Sequence, residues 1–241
     1  MLTSYLTSTR RLLQFPSSAT SLYTDSDLKD YINTARGQLA GESESIRFAG
    51  ILPLTSGNRA HTFSAISFAG SSGIAGAINV RQMLRGIGTG YSWMRPRPFE
   101  WFTLYNLNNP NPVPGPPVRW AQFGQGTNGT IYVDPVPDAN YTTLLDVVCY
   151  PIPLVDDNTT EAIPYLWTDA VPYFAAYLAL LTAQAAARQA DANRMMQRYE
   201  EFVSRARQFA TPSVLPGIYP QSGNPVRANQ LGTSPPAKAA Q

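Results

Sequence analysis

The sequence predicts an α+β chain in which helices at both ends bracket an antiparallel β-sandwich or barrel-like insertion, followed by an extended C-terminal tail. Three observations carry this. Apolar residues recur at intervals of three and four near the start and again beyond Ala162. Between Ser45 and Pro153 they alternate with polar residues, and Gly, Pro and Asn clusters interrupt at short intervals. From Thr211 onward the chain is rich in Pro, Gly, Asn, Gln, Ser and Ala, and its few larger apolar groups, such as Val214, Leu215, Ile218 and Tyr219, are too sparse to form a core. The expected organisation is 1–44 (N-terminal helices), 45–155 (β-sandwich-like domain), 156–210 (C-terminal helices, completing a helical domain with the first segment) and 211–241 (tail).

Taken in order, Leu2, Tyr5, Leu6, Thr9, Leu12 and Leu13 lie on one side of a short amphipathic helix that Pro16, Ser17 and Ser18 close. A second helix starts at Thr24, whose hydroxyl caps it while Asp25 and Asp27 sit at the positive end of its dipole. Leu28, Tyr31, Ile32, Ala35 and Leu39 mark its face, and Gly41 is expected to end it. Seven strands follow: Ile46–Leu54, His61–Phe68, Ile78–Arg85, Phe99–Leu107, Val118–Phe123, Thr130–Val133 and Thr143–Tyr150. The Asn106–Pro117 loop, with repeated Asn-Pro and Pro-Gly units, reads as rigid and projecting. In the third segment Pro164 and Pro172 suit first-turn positions, with Thr168 or Asp169 as a cap. The alanine-rich face Ala175–Ala183 and the run Met195, Tyr199, Phe202, Ala206 and Phe209 fit either one long helix or a hairpin turning near Arg188–Asp191.

Composition narrows the function. The 241 residues are 44% hydrophobic but only 14% charged, against about 25% in an average soluble domain. So few surface charges protect poorly against association, which points to a subunit of an assembly. A net charge of +2, from 18 basic and 16 acidic residues, gives no general pull toward nucleic acid or an anionic membrane. The last acidic residue is Glu201, so Arg205, Arg207, Arg227 and Lys238 leave the C-terminal end mildly cationic. The stretch Ala170–Ala187 is too broken for a membrane span, and the N-terminus lacks the apolar run of a secretory signal, so folding in a cytoplasm is expected.

No motif supports catalysis, a metal or a cofactor. Gly124-Gln125-Gly126-Thr127-Asn128-Gly129 spells a dinucleotide fingerprint, but a strand follows it where a helix N-terminus would be needed, so it reads as a hairpin loop. His61, the only histidine, lies in a stretch from Arg47 to Trp93 that contains no Asp or Glu to orient it or to share a metal. Cys149 is the only cysteine and reads as a buried apolar residue. Tyr91–Phe102 mixes aromatics with Arg95 and Arg97, and reads as a proline-kinked strand whose arginines face solvent or a neighbour.

The order of several segments resembles head-to-tail adaptor proteins of short-tailed bacteriophages. These are Tyr5–Leu13, the Leu28–Arg36 helix, the proline-led start Ile163–Ala170, and Ala190-Asp191-Ala192 followed by Tyr199 and Phe202. The resemblance covers both helical segments, roughly half the chain. It implies a structural virion protein of the neck: a homo-oligomeric ring, usually dodecameric, seated under the portal protein and meeting a tail nozzle or tail tube protein. Double-stranded DNA would pass through its lumen without sequence recognition, and no enzyme activity, cofactor or membrane partner is implied. The C-terminal extension would grip the portal, with Arg205, Arg207, Leu215, Tyr219, Arg227 and Lys238 as contact candidates. Trp93, Arg95 and Arg97 are the candidates on the tail side. The rival expectation is a virion-borne carbohydrate-binding module that stacks sugars on Trp93, Trp101, Tyr105 and Trp120; a third is an enzyme of unrecognised type.

Overall fold

Leu2, Tyr5, Thr9 and Leu13 are buried along a single stripe of helix α1 (Leu2–Leu13), which stops at Gln14 in the left-handed region (φ 59°). The computed structural model describes residues 1–14, 22–70, 73–88, 90–105, 112–182 and 188–210. Helix α2 (Asp25–Ser43) opens with a reciprocal capping box: the Thr24 hydroxyl accepts from the Asp27 N–H at 3.1 Å, and the Asp27 carboxylate accepts from the Thr24 N–H at 3.1 Å. The Thr24 hydroxyl also donates to the Asp27 carboxylate at 2.7 Å, and that bond, with the one from the Thr24 N–H, holds the Asp27 carboxyl below its ordinary pKa. The helix does not end at Gly41 as expected. Leu39, Ala40 and Ser43 are buried, the Ser43 hydroxyl donates to the Leu39 carbonyl at 2.6 Å, and tertiary burial carries the helix one half-turn past the glycine.

Two sheets follow. Strands β1 (Arg47–Leu54), β2 (Ala60–Thr62), β3 (Ser67–Phe68), β4 (Ile74–Ile87), β5 (Gly90–Trp93), β6 (Arg95–Pro96), β7 (Arg119–Phe123), β8 (Thr130–Asp134) and β9 (Tyr141–Pro151) are joined with one short helix, α3 (Phe99–Tyr105). The larger sheet has the order β3-β1-β9-β4-β5 and the smaller β2-β8-β7-β6. Strand β9 is central and antiparallel to both neighbours, with Leu52 opposite Thr143 and Val80 opposite Val147. The pairing of β6 with β7 is parallel. Met83, Leu145 and Val147 from one sheet share a buried cluster with Trp120, Ile131 and Val133 from the other. The β region is therefore a sandwich of two open sheets, not a closed barrel.

Three expectations need correction here. Phe99–Leu107 is not a strand: Phe99–Tyr105 is α3, whose Phe99 and Phe102, one turn apart, pack on Tyr132 with ring centroids 5.0 and 6.4 Å away. His61–Phe68 is not continuous either. A 3-10 turn at Phe63–Ala65 divides β2 from β3, with the Thr62 and Ser64 hydroxyls 2.8 Å apart. Strand β4 extends beyond Ile78–Arg85 at both ends, its register against β9 shifting at three bulges.

The C-terminal segment is a hairpin of α4 (Ala170–Thr182) and α5 (Gln189–Ala210). Phe174 meets Tyr199 at 4.6 Å and Tyr173 meets Phe202 at 5.8 Å, pairings that run in opposite directions along the two helices. The expected Thr168 cap is replaced by a bond in the preceding turn: its hydroxyl donates to the Tyr165 carbonyl at 2.8 Å. Buried Ala170, Ala175, Ala176 and Ala179 bring α4 close to its neighbours, and α2, α4 and α5 contribute Ile32, Ala175, Tyr199 and Val203 to the same core as β1 and β9. Cys149 is buried within β9, and burial, helped by the charge of Asp146, pushes its thiol up to about 12. Among the described residues no helix is long and apolar enough to cross a membrane.

Candidate functional site

The first candidate region is the end of α5, from which the tail leaves. The Ala210 carbonyl accepts hydrogen bonds from Arg47 Nη1 at 3.1 Å and Arg81 Nη1 at 3.3 Å, one arginine on β1 and the other on β4. Each is steadied by a carboxylate, Arg47 by Asp146 through Nε at 3.1 Å and Arg81 by Glu44 at 2.9 Å. Cations at a helix C-terminus meet unpaired carbonyls and the negative end of the dipole, so this clasp uses the end where it acts most strongly. Arg207, a predicted contact residue, donates from Nε to the Glu42 carbonyl at 2.6 Å, binding α5 to the end of α2. Nearby, Tyr199 donates to Glu42 Oε2 at 3.1 Å, and burial together with the charge of Glu42 raises the phenol well above its usual range. Arg205 is exposed on the same helix. A groove of about 460 Å³ runs beside these groups, lined by Glu42, Met196, Glu200, Val203 and Arg207 among others. The other predicted contacts, Leu215, Tyr219, Arg227 and Lys238, lie outside the described residues.

The second region is the β6–α3 corner. Trp93 is at the end of edge strand β5, while the Arg95 and Arg97 N–H groups donate to the Val118 and Trp120 carbonyls at 2.9 and 2.8 Å. These three predicted residues therefore follow one another along an edge of the sandwich. The guanidinium of Arg97 lies 5.9 Å from the centre of the Trp101 ring, and that of Arg119 lies 5.2 Å from the same ring. Arg119 is also paired with Asp134 at 3.0 Å. Phe99 packs on Phe123 at 4.5 Å. Arg119 and Phe123 were not among the sequence candidates: they arrive from β7, and only the parallel β6–β7 pairing brings them to Arg97.

The sugar-stacking set is not available as a platform. Trp120 is 4% exposed and its indole N–H donates to the Met94 carbonyl at 3.2 Å, so it belongs to the core. The Trp101 ring is occupied by two guanidinium groups, and the Tyr105 side chain lies outside the described residues. Gly124 and Gly126 adopt positive φ (74° and 62°) in the connection from β7 to β8, which makes a hairpin as expected from the strand that follows. His61 is buried on β2 with Nε2 3.2 Å from the Asn58 carbonyl, and burial lowers its pKa. Among the described residues no group of three His, Cys, Asp or Glu side chains is placed to hold a metal ion.

A family model described as SU10 adaptor protein matches residues 2–220 of the sequence. Comparison with curated proteins finds no match.

Proposed function

The chain belongs to the SU10 adaptor protein family, and on that premise we propose that it is a non-enzymatic adaptor subunit of a phage neck, joining the portal to the tail. The family match, which spans both helical segments and the sandwich, is the observation that carries this reading. Copies of the chain form a ring, dodecameric by the resemblance noted above, and the ring's lumen leads double-stranded DNA outward. A net charge of +2 suits such a passage, because basic residues nearly balanced by acidic ones exert little net pull on phosphates and let the duplex slide.

In this reading residues 211–241 grip the portal, with Arg205, Arg207, Leu215, Tyr219, Arg227 and Lys238 among the contacts, and Trp93, Arg95 and Arg97 face the tail-side protein. Support for the first assignment comes from the clasp on Ala210: a segment that orders against a partner transmits its grip only if its root is fixed. The test is co-assembly with the purified portal protein of the same virion, followed by size-exclusion chromatography with mass measurement. The full chain should co-elute as a ring-sized complex, and the chain ending at Ala210 should lose the complex while keeping its fold. Unchanged portal affinity in the truncated chain would remove the tail from the mechanism, and a full chain that ignores both portal and tail protein would remove the adaptor role itself.

A further inference from the structure

We propose that the groove beside Arg97 binds a carboxylate-bearing peptide segment of the tail-side protein; this rests on the adaptor reading above and supplies the chemistry of that contact. The groove, about 430 Å³, is lined by Arg97, Asn79, Gln122 and Gln125 with Pro96, Pro98 and Phe99 as apolar walls.

Arg97 is held ready for a partner. Its backbone N–H is bonded to the Trp120 carbonyl and its guanidinium lies 5.9 Å from the centre of the Trp101 ring, a cation–π contact that biases the position of an otherwise exposed side chain lining the groove. Among the described residues no carboxylate lies within ion-pair distance of it. Arg119, on the same ring, is already matched by Asp134. Around them Arg95, Arg97 and Arg119 outnumber the two acidic residues of this corner, Asp134 and Glu100, so the local field favours an anion.

The remaining lining separates structural amides from available ones. Gln122 accepts from the Val80 N–H at 3.0 Å and donates to the Gly124 carbonyl at 2.8 Å, so its side chain is committed to holding β4, β7 and the hairpin together. The Asn79 side-chain amide has no hydrogen-bond partner among the described residues and flanks the position that Arg97 commands. Exposed Phe123 on β7 packs against the Phe99 wall at 4.5 Å, and exposed Trp93 ends β5, four residues before Arg97. A fork of guanidinium donors, a neighbouring amide and proline and phenylalanine walls match one carboxylate on an otherwise apolar segment, with aromatics of the type that anchor protein interfaces. A nucleic-acid backbone would instead require a row of cations at phosphate spacing, and this groove presents one.

The experiment uses the full chain and the purified tail-side protein of the same virion, with affinity measured by titration calorimetry at two salt concentrations. Arg97→Glu should weaken binding by at least about tenfold, and Arg97→Lys, which keeps the charge but not the planar fork, should weaken it by less. Asn79→Leu should also weaken binding. Thermal melts of each variant should match the wild type, since neither Arg97 nor Asn79 is buried. Arg97→Glu binding within twofold of wild type would overturn the proposal while leaving the adaptor reading intact. So would loss of retention on a double-stranded DNA column with tail-protein binding unchanged, which would make the groove a phosphate site. Failure of the wild-type chain to bind the tail protein would overturn both readings.

Discussion

Arg36 and Glu161 form a two-pronged ion pair inside the protein, Nη2 to Oε1 at 2.8 Å and Nε to Oε2 at 3.0 Å, with side chains only 1% and 9% exposed. The other guanidinium nitrogen donates to the Ile152 carbonyl at 2.6 Å, and Tyr5 donates to Glu161 Oε2 at 3.0 Å, so α1, α2 and the segment leading to α4 meet at this one pair. Glu161→Ala leaves a buried guanidinium without its counter-charge and should cost about 3–5 kcal/mol. The double variant Arg36→Met/Glu161→Met should lose much less, because it removes both desolvated charges together. Urea unfolding midpoints of the three proteins check the ordering.

Freeing the end of α5 should be felt locally. Arg47→Ala/Arg81→Ala removes both donors from the Ala210 carbonyl, and amide hydrogen exchange across 205–210 should rise several-fold while the exchange of β9 stays at its wild-type rate. Portal affinity should fall in the same variant. Equal exchange in the two proteins would show that packing of Val203 and Ala206, with the Arg207 bond to the Glu42 carbonyl, fixes the helix end without the clasp.

Stability should depend on pH through His61. Burial holds its folded pKa below the ordinary 6.5 and outweighs the opposing hydrogen bond that the ring makes to the Asn58 carbonyl. The unfolded chain therefore takes up the proton first: this contribution to stability is complete above pH 6.5 and is lost as pH falls through the lower folded value. Between those limits the wild type should lose stability relative to His61→Gln, and unfolding curves collected above and below 6.5 would show the difference.

Gly129→Ala tests the joint between the 3-10 turn at Phe63 and the β7–β8 hairpin. A Cβ built on Gly129 meets three atoms of the Phe63 ring at 2.5 to 2.7 Å, and the buried ring has little room to retreat. The variant should lose about 1–3 kcal/mol. Adding Phe63→Leu should recover part of the loss, a coupling that a thermodynamic cycle measures directly.

Much of the architecture was legible because local signals and burial agree. The Thr24 cap, the alternation in β1, β8 and β9, and the glycine turn from β7 to β8 each read correctly from neighbouring residues. Helix α3 did not, because Phe99, Trp101, Phe102 and Tyr105 favour strands by composition. The three-residue spacing of Phe99 and Phe102, after Pro98 and with Glu100 in the first turn, was the available helical signal. The choice between a long helix and a hairpin could not be made from periodicity, since the same face of α5 serves either arrangement. Of the residues proposed to meet partners, Trp93, Arg95 and Arg97 were visible as a local cluster. Arg47, Arg81 and Arg119 were not, because each matters only through a partner far away in sequence, brought near by strand order.

In the proposed assembly the clasp on Ala210 also determines where mechanical load enters the protein. Its two arginines stand on β1 and β4, the strands on either side of β9. Tension applied beyond Ala210 is therefore shared between both flanks of the central strand, and the ladders that receive it are the two longest among the described residues. A particle under internal pressure would strain this joint across many parallel hydrogen bonds at once, where a helix end without the clasp would unravel one turn at a time.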